Sequence, residues 1–274
     1  MTALALLMIH FRCFLLCSAI LAPAVGLAQE GHFLSPSSFQ LTSKSVQVAI
    51  HRGQGPTRLT QPWKGQKIKW LFVKTGLVQE NRDEVLQWTD EHGNLTVPVP
   101  AAGPVMIGID FEPVVEEVQV ADLNLTQSRP VASLKTKCNV RHFRSAITLL
   151  RTSWPGDEAP DSTVATTETS LASSIHPLMD PTTFLLGGDM ALETVVQGEE
   201  IRDAKIFARN NVTGLTTIMR TGGGGVCSFS PDSAGTYEFL FQYVRPVKNE
   251  TGVDFEVFTT TLTFALTERR TVTS

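Results

Sequence analysis

Residues Thr216–Val244, TTIMRTGGGGVCSFSPDSAGTYEFLFQYV, limit the fold more than any other stretch of the chain. Thr217 and Met219 precede the glycine run Gly222–Gly225, and Val226, Ser228 and Ser230 follow it. Both runs alternate as half-buried strands do. Successive glycines reach positive φ at little cost, so a hairpin reversal between the two strands is expected. Tyr237, Phe239, Phe241 and Tyr243 then put aromatics on one face of the next strand. Core packing is the default for such a stripe, with a sugar or protein platform as the alternative. The stretch predicts a β-sandwich and says little about chemistry.

The rest of the chain reads the same way. In the first half, Val46, Val48 and Ile50 alternate, Ile68–Val73 and Val85–Trp88 are strand-like, and Leu95, Val97 and Val99 alternate again. Val105–Phe111 is nearly continuous in apolar residues, as in a strand covered on both faces. Val114–Val120 fits either a helical turn or an edge strand. Asn139–Leu150 alternates through Phe143, Ser145, Ile147 and Leu149, although Phe143, Ala146, Ile147 and Leu150 also share a helical face.

From Ser153 to Ser174 the composition turns to Pro, Asp, Glu, Ser and Thr, which predicts a solvated connection. Further strands are expected at Met190–Val196, Asp203–Arg209, Leu215–Arg220, Gly225–Phe229, Thr236–Tyr243 and Phe255–Leu266. The expected fold class is all-β, two immunoglobulin-like or transthyretin-like β-sandwich domains in tandem. The division is a signal peptide at 1–28, sandwiches at 29–152 and 177–274, and a linker at 153–176.

The export reading rests on the apolar run Cys13–Leu21, the helix-breaking Pro23 and the small-residue cleavage site Gly26-Leu27-Ala28. Cleavage after Ala28 leaves Gln29 first, and a periplasmic or secreted protein follows. An uncleaved anchor is the alternative, but the apolar core is shorter than a spanning helix needs. No later run is long enough to span a bilayer. A net charge of −4, with no basic stripe, argues against a nucleic-acid partner. Beyond the leader, Cys138 and Cys227 fit one disulfide or two buried thiols equally well.

Known catalytic patterns are missing. There is no H-E-x-x-H and no G-x-S-x-G, and neither a helix nor a lysine follows the glycine run. Glu116-Glu117 and Glu199-Glu200 are neighbours, which on a strand point to opposite faces. The candidate metal ligands are His32 and His51, which approach each other if the opening segment pairs with the Val46–Ile50 strand. Asp110 or Glu112 would supply a third ligand. Cleavage after Gln29 would instead expose Glu30-Gly31-His32, whose amine, amides and imidazole suit square-planar Cu(II) or Ni(II). With cleavage after Ala28, His32 reads as a surface or strand-end histidine.

Gly31-His32-Phe33-Leu34 with Ser35-Pro36-Ser37-Ser38, the segment Arg141–Leu150, Asp180-Pro181, the glycine run, Ala234-Gly235-Thr236-Tyr237 and Thr261-Leu262-Thr263-Phe264 occur in a familiar order. Together they resemble the exported family of unknown function (domain of unknown function 4198) once described as nickel-uptake, NikM-like subunits. The second half is similar to transthyretin-like or carboxypeptidase-regulatory-like sandwiches. Family members often keep a histidine near the end of the Gly-x-Tyr strand, where this chain has Val244-Arg245-Pro246. The resemblance implies an exported, non-enzymatic envelope binding or interaction protein associated with Ni or Co uptake. Its partners would be an envelope protein or a transition-metal ion (Ni, Co or Cu). A structural or adhesive scaffold without a small ligand is the second expectation.

Overall fold

The structure, a computed structural model, describes residues 30–54, 61–62, 66–76, 78–81, 94–99, 101–123, 136–153, 163–248 and 250–267. The expected leader at 1–28, the expected strand Val85–Trp88 and most of the adjoining turn lie outside these residues.

The described chain is all-β, as the alternating patterns predict. Strands β1 (Glu30–Pro36), β2 (Gln40–Leu41), β3 (Ser45–Gln54), β4 (Gln61–Pro62), β5 (Ile68–Thr75) and β6 (Val78–Asn81) come first. They are followed by β7 (Asn94–Pro98), β8 (Gly103–Phe111), β9 (Val114–Gln119) and the 16-residue β10 (Lys137–Thr152). The later strands are β11 (Ser173–Pro177), β12 (Met190–Val196), β13 (Glu199–Glu200) and β14 (Lys205–Asn210). The last are β15 (Thr216–Arg220), β16 (Val226–Phe229), β17 (Gly235–Pro246) and β18 (Phe255–Leu266). Both segments left open by the sequence, Val114–Val120 and Asn139–Leu150, are therefore mainly extended.

A ten-stranded sheet runs through the molecule in the order β15-β14-β17-β18-β10-β8-β5-β6, with β2 and β9 also paired to β10. Its two halves meet where β10 and β18 pair in parallel, Val140 opposite Phe255 through Thr148 opposite Thr263. One small sheet, β1-β3-β4 with β7 on β3, packs on one face. The interface buries Leu34, Val48 and Ile50 against Ile107, Ile109, Ala146 and Leu150. A second small sheet, β11-β12-β13 with β16 on β12, covers the other face. Ile175, Leu192 and Phe229 there meet Ile147, Phe239, Phe258 and Phe264. Alternation explains the layering, because odd and even positions of β10 enter different cores. Each large side chain removed from water in these layers contributes about 1.5–3 kcal/mol.

The aromatic stripe behaves as core. Tyr237, Phe239 and Phe241 are buried and Tyr243 packs against the same cluster. The glycine run differs from the expected hairpin. β15 pairs with β14 in the large sheet, whereas β16 pairs with β12 in the small one, so Gly222–Gly225 carries the chain between layers. Gly225 has φ of +67°, and a Cβ there would sit 2.8 Å from the Thr194 carbonyl oxygen. Glycine is required by both backbone and space.

The solvated connection expected at 153–176 is also corrected where it is described. Val164 and Ala165 form a buried 3-10 turn, Leu171 is buried, and Ser173–Pro177 is a strand paired with β12. The small polar residues deceived because their hydroxyls find partners inside: Ser173 is hydrogen-bonded to Thr260. Polar composition predicts solvent only where no such partner exists.

Candidate functional site

The central sheet has an opening beside β10. Leu149–Thr152 pair with β8, and Lys137–His142 pair with β9. The segment Phe143–Thr148 lies between those two ladders, still held on its other side by β18. Opposite it, β8 leaves β10 and stays paired with β5 through Phe111. A cleft of about 380 Å³ occupies this position, among Asp110, Phe111, Phe143, Arg144, Leu171 and Ala172. Phe111 belongs to the core beneath the first small sheet and Phe143 packs on the core beneath the second. The cleft is thus lined from both faces of the central sheet.

Asp110 is its chemical centre. It is only 4% exposed, a carboxylate within the otherwise apolar strand β8. Trp70, directly opposite on β5, donates its indole N–H to Asp110 Oδ2 at 3.1 Å. The Ala172 backbone N–H reaches the same oxygen at 3.3 Å, and the Ser145 hydroxyl donates to Oδ1 across the opening. Burial raises the Asp110 pKa, while the Ser145, Trp70 and Ala172 hydrogen bonds and the Lys69 charge pull it back. Desolvation wins, so the carboxylate is held in place at an electrostatic cost.

Cations balance this acid. Lys69 and Arg144 both line the cleft. Arg144 donates through Nη2 to Glu116 Oε1 at 2.8 Å, and the His142 ring nitrogen Nδ1 contacts the same carboxylate. The Glu116 pKa is lowered to about 2, chiefly by the His142 hydrogen bond and also by Arg144. Glu116 thereby steers Arg144 while leaving other guanidinium donors for a ligand.

One wall is aromatic. Phe143 stacks on Phe258 with ring centroids 4.7 Å apart, and the Arg245 guanidinium lies 5.0 Å from the Phe258 centroid. Arg245 in turn donates to the Gln197 side chain at 2.6 Å, at the turn that forms the cleft's far edge. The phenyl ring of Phe143 is fixed by this stack and presents its remaining surface to the cleft. Thr169 adds a hydroxyl whose oxygen is buried without a hydrogen-bond partner.

The residues singled out as metal ligands lie elsewhere. β1 does pair with β3, but the register puts Phe33 opposite His51 and His32 opposite Arg52. His32 and His51 consequently project from opposite faces of the small sheet and do not converge. His32 is no surface residue: it is 6% exposed, 4.6 Å from the Phe111 ring centroid, and its Nδ1 has no hydrogen-bond partner. Its pKa is lowered to about 3 by burial first, then by Arg144 and Arg52. The Thr261 hydroxyl donates to the His32 carbonyl oxygen, anchoring β1 over β18. Among the described residues no group of three or more His, Cys, Asp and Glu side chains is arranged to hold a metal ion.

Other titratable groups are accounted for by pairing. His176 is buried 3.1 Å from Glu193, and Glu117 pairs with Lys137. Cys138 and Cys227 are buried and are not joined in a disulfide. Sequence reasoning considered Asp110 only as a spare metal ligand and passed over Lys69, Arg144 and Thr169. The usable signal was one carboxylate inside the apolar run Val105–Phe111.

No family model matches the chain, and no curated protein matches it. Among solved structures it is similar to the crystal structure of dimeric latent PorU from Porphyromonas gingivalis, at 12% identity and a TM-score of 0.20. That match covers 86% of this chain and 20% of that one, so the chain spans about a fifth of that protein's length.

Proposed function

We propose that this is an exported, non-enzymatic binding protein of the cell envelope that holds a small ligand in the Asp110 cleft. The observation that carries the reading is the fixed carboxylate itself. A buried acid surrounded by donors, cations and an aromatic wall is costly to maintain and suits recognition of a small polar molecule. The volume lies within the range of small-molecule sites.

The binding reading is favoured over hydrolytic chemistry by the hydrogen bonding. The Ser145 hydroxyl is buried and already donates to Asp110, with no histidine base among its partners. Export is supported by the apolar leader with its small-residue cleavage site, and no described helix is long and apolar enough to cross a membrane. The role in Ni or Co uptake has its support in the family resemblance alone, since His32 and His51 face apart.

A scaffold or adhesive role has one specific observation in its favour. β15 is an edge strand of the large sheet, with Ile218 60% exposed and Leu215 exposed beside it.

Crystals soaked with a library of small polar and aromatic fragments test the proposal. Electron density clustered between Asp110, Arg144 and Phe143 is the expected result. Fragments confined to other surfaces, with this cleft holding only water, would argue for the scaffold.

A further inference from the structure

Resting on the reading of the Asp110 cleft as a binding site, we infer that its ligand is an uncharged saccharide ring. Charge decides first between ligand classes. Lys69 and Arg144 are matched by Asp110 and by Glu116, which accepts from Arg144 at 2.8 Å. A phosphate or carboxylate ligand would face a buried acid with no surplus cation to offset it, and a cationic ligand would face two positive side chains. A neutral ligand carrying both donors and acceptors meets neither penalty.

Hydrogen-bonding capacity decides next. Asp110 receives three donors, one on Oδ1 and two on Oδ2, while an ionised carboxylate offers about four lone-pair positions. One acceptor direction is therefore left for a ligand hydroxyl. Arg144 supplies donors beyond those spent on Glu116, and Lys69 supplies more. Thr169 lines the cleft, but its oxygen is closed to solvent, so the demands on a ligand come from Asp110, Arg144 and Lys69. Hydroxyl groups satisfy all of these demands, because each can do both.

Shape decides last. Phe143 is locked against Phe258 and forms an apolar wall beside the polar groups. A pyranose has a C–H face that covers such a ring and a rim of hydroxyls that reaches side chains around it. Planar Asp and Arg groups beside an aromatic wall match that division of surface. A purely aromatic ligand would use Phe143 but leave the open acceptor direction of Asp110 unfilled.

The test is saturation-transfer NMR of the full mature chain with glucose, galactose, N-acetylglucosamine and inorganic phosphate, each added alone. The expected result is transfer to the ring C–H protons of at least one sugar and no phosphate-dependent shift of the Trp70 indole signal. Arg144→Ala, which removes guanidinium donors at the cleft, is expected to weaken that sugar about 10-fold. Phe143→Leu should weaken it by at least as much and reduce transfer from aromatic protons.

Phosphate binding without sugar binding would overturn the saccharide class and leave the cleft a ligand site. Sugar binding unchanged in both variants would also overturn the inference, placing the sugar elsewhere. Failure of all four probes would overturn the saccharide assignment. Fragment soaking then shows whether the cleft reading falls with it or stands with another ligand.

Discussion

Trp70 and Asp110 face each other across the β5–β8 ladder and are joined by a 3.1 Å hydrogen bond from the indole N–H to the carboxylate. The pair lies in the opening that begins where β8 parts from β10, after Met106. It also explains how an acid is tolerated inside an apolar strand, since indole, hydroxyl and backbone donors replace water.

The two simplest replacements of Asp110 should behave differently. Asp110→Ala leaves the donors of Trp70 and Ala172 without their acceptor and should cost about 2–3 kcal/mol of stability. Asp110→Asn keeps one acceptor oxygen for those N–H groups, and its amide can donate to Ser145 once that hydroxyl turns. It also removes a buried charge, so stability near neutral pH should change by less than about 1 kcal/mol. Chemical denaturation of both variants checks this, and a large loss in Asp110→Asn would contradict the arrangement.

The same carboxylate has a pH signature. Its folded pKa lies above the ordinary carboxyl value of 3.8, so over the window between them the native state holds more proton than the unfolded chain. The Asp110 contribution therefore falls as pH rises through that window. Subtracting the pH profile of Asp110→Asn from that of the wild type should show this negative slope just above pH 3.8.

His32 has the opposite slope. Its native pKa of about 3 lies below the ordinary imidazole value of 6.5, so on acidification the unfolded chain takes up a proton first. Stability is fully present above about 6.5 and is lost as pH falls toward about 3. The slope approaches one proton, or about 1.4 kcal/mol per pH unit. His32→Phe, placed beside Phe111, should flatten the profile between pH 6.5 and 4.5, measured by denaturation midpoints.

Much of this architecture is legible from residue order. Phe258, Leu262 and Phe264 on β18, and Phe143, Ile147 and Leu149 on β10, announce their shared face by alternation alone. Their partnership does not. β10 and β18 pair in parallel across more than a hundred residues, and periodicity carries no information about which strand lies beside which. The glycine run misled for the same reason: positive φ was legible, but the sheet each neighbouring strand would join was not. His32 looked exposed because it is polar and close to the expected cleavage site. The register with β3 and the packing of Phe111 put it inside.

Close packing at Gly108 gives an independent check on the β5–β8 register. Gly108 faces Phe72 across the ladder, and an added Cβ would lie 2.2 Å from the Phe72 ring. Gly108→Ala should therefore lower stability by about 1–3 kcal/mol through overpacking. Phe72→Leu in the same chain should recover part of the loss, as read from thermal or urea midpoints.

Cys138 and Cys227 should resist thiol reagents while the protein is folded. Both are buried, and burial pushes the Cys227 pKa up to about 11, leaving little thiolate. Both should react after unfolding without prior reduction, as counted by mass spectrometry. A mass showing them already linked would contradict the structure.

The most direct test of the central claim is the indole N–H signal of Trp70 in solution, assigned by its loss in Trp70→Phe. The account predicts that a ligand entering the cleft shifts this signal through Asp110. Arg144→Ala should weaken that response while the rest of the spectrum keeps its folded dispersion. If bound fragments move other signals and leave Trp70 unchanged, the cleft is not the binding site.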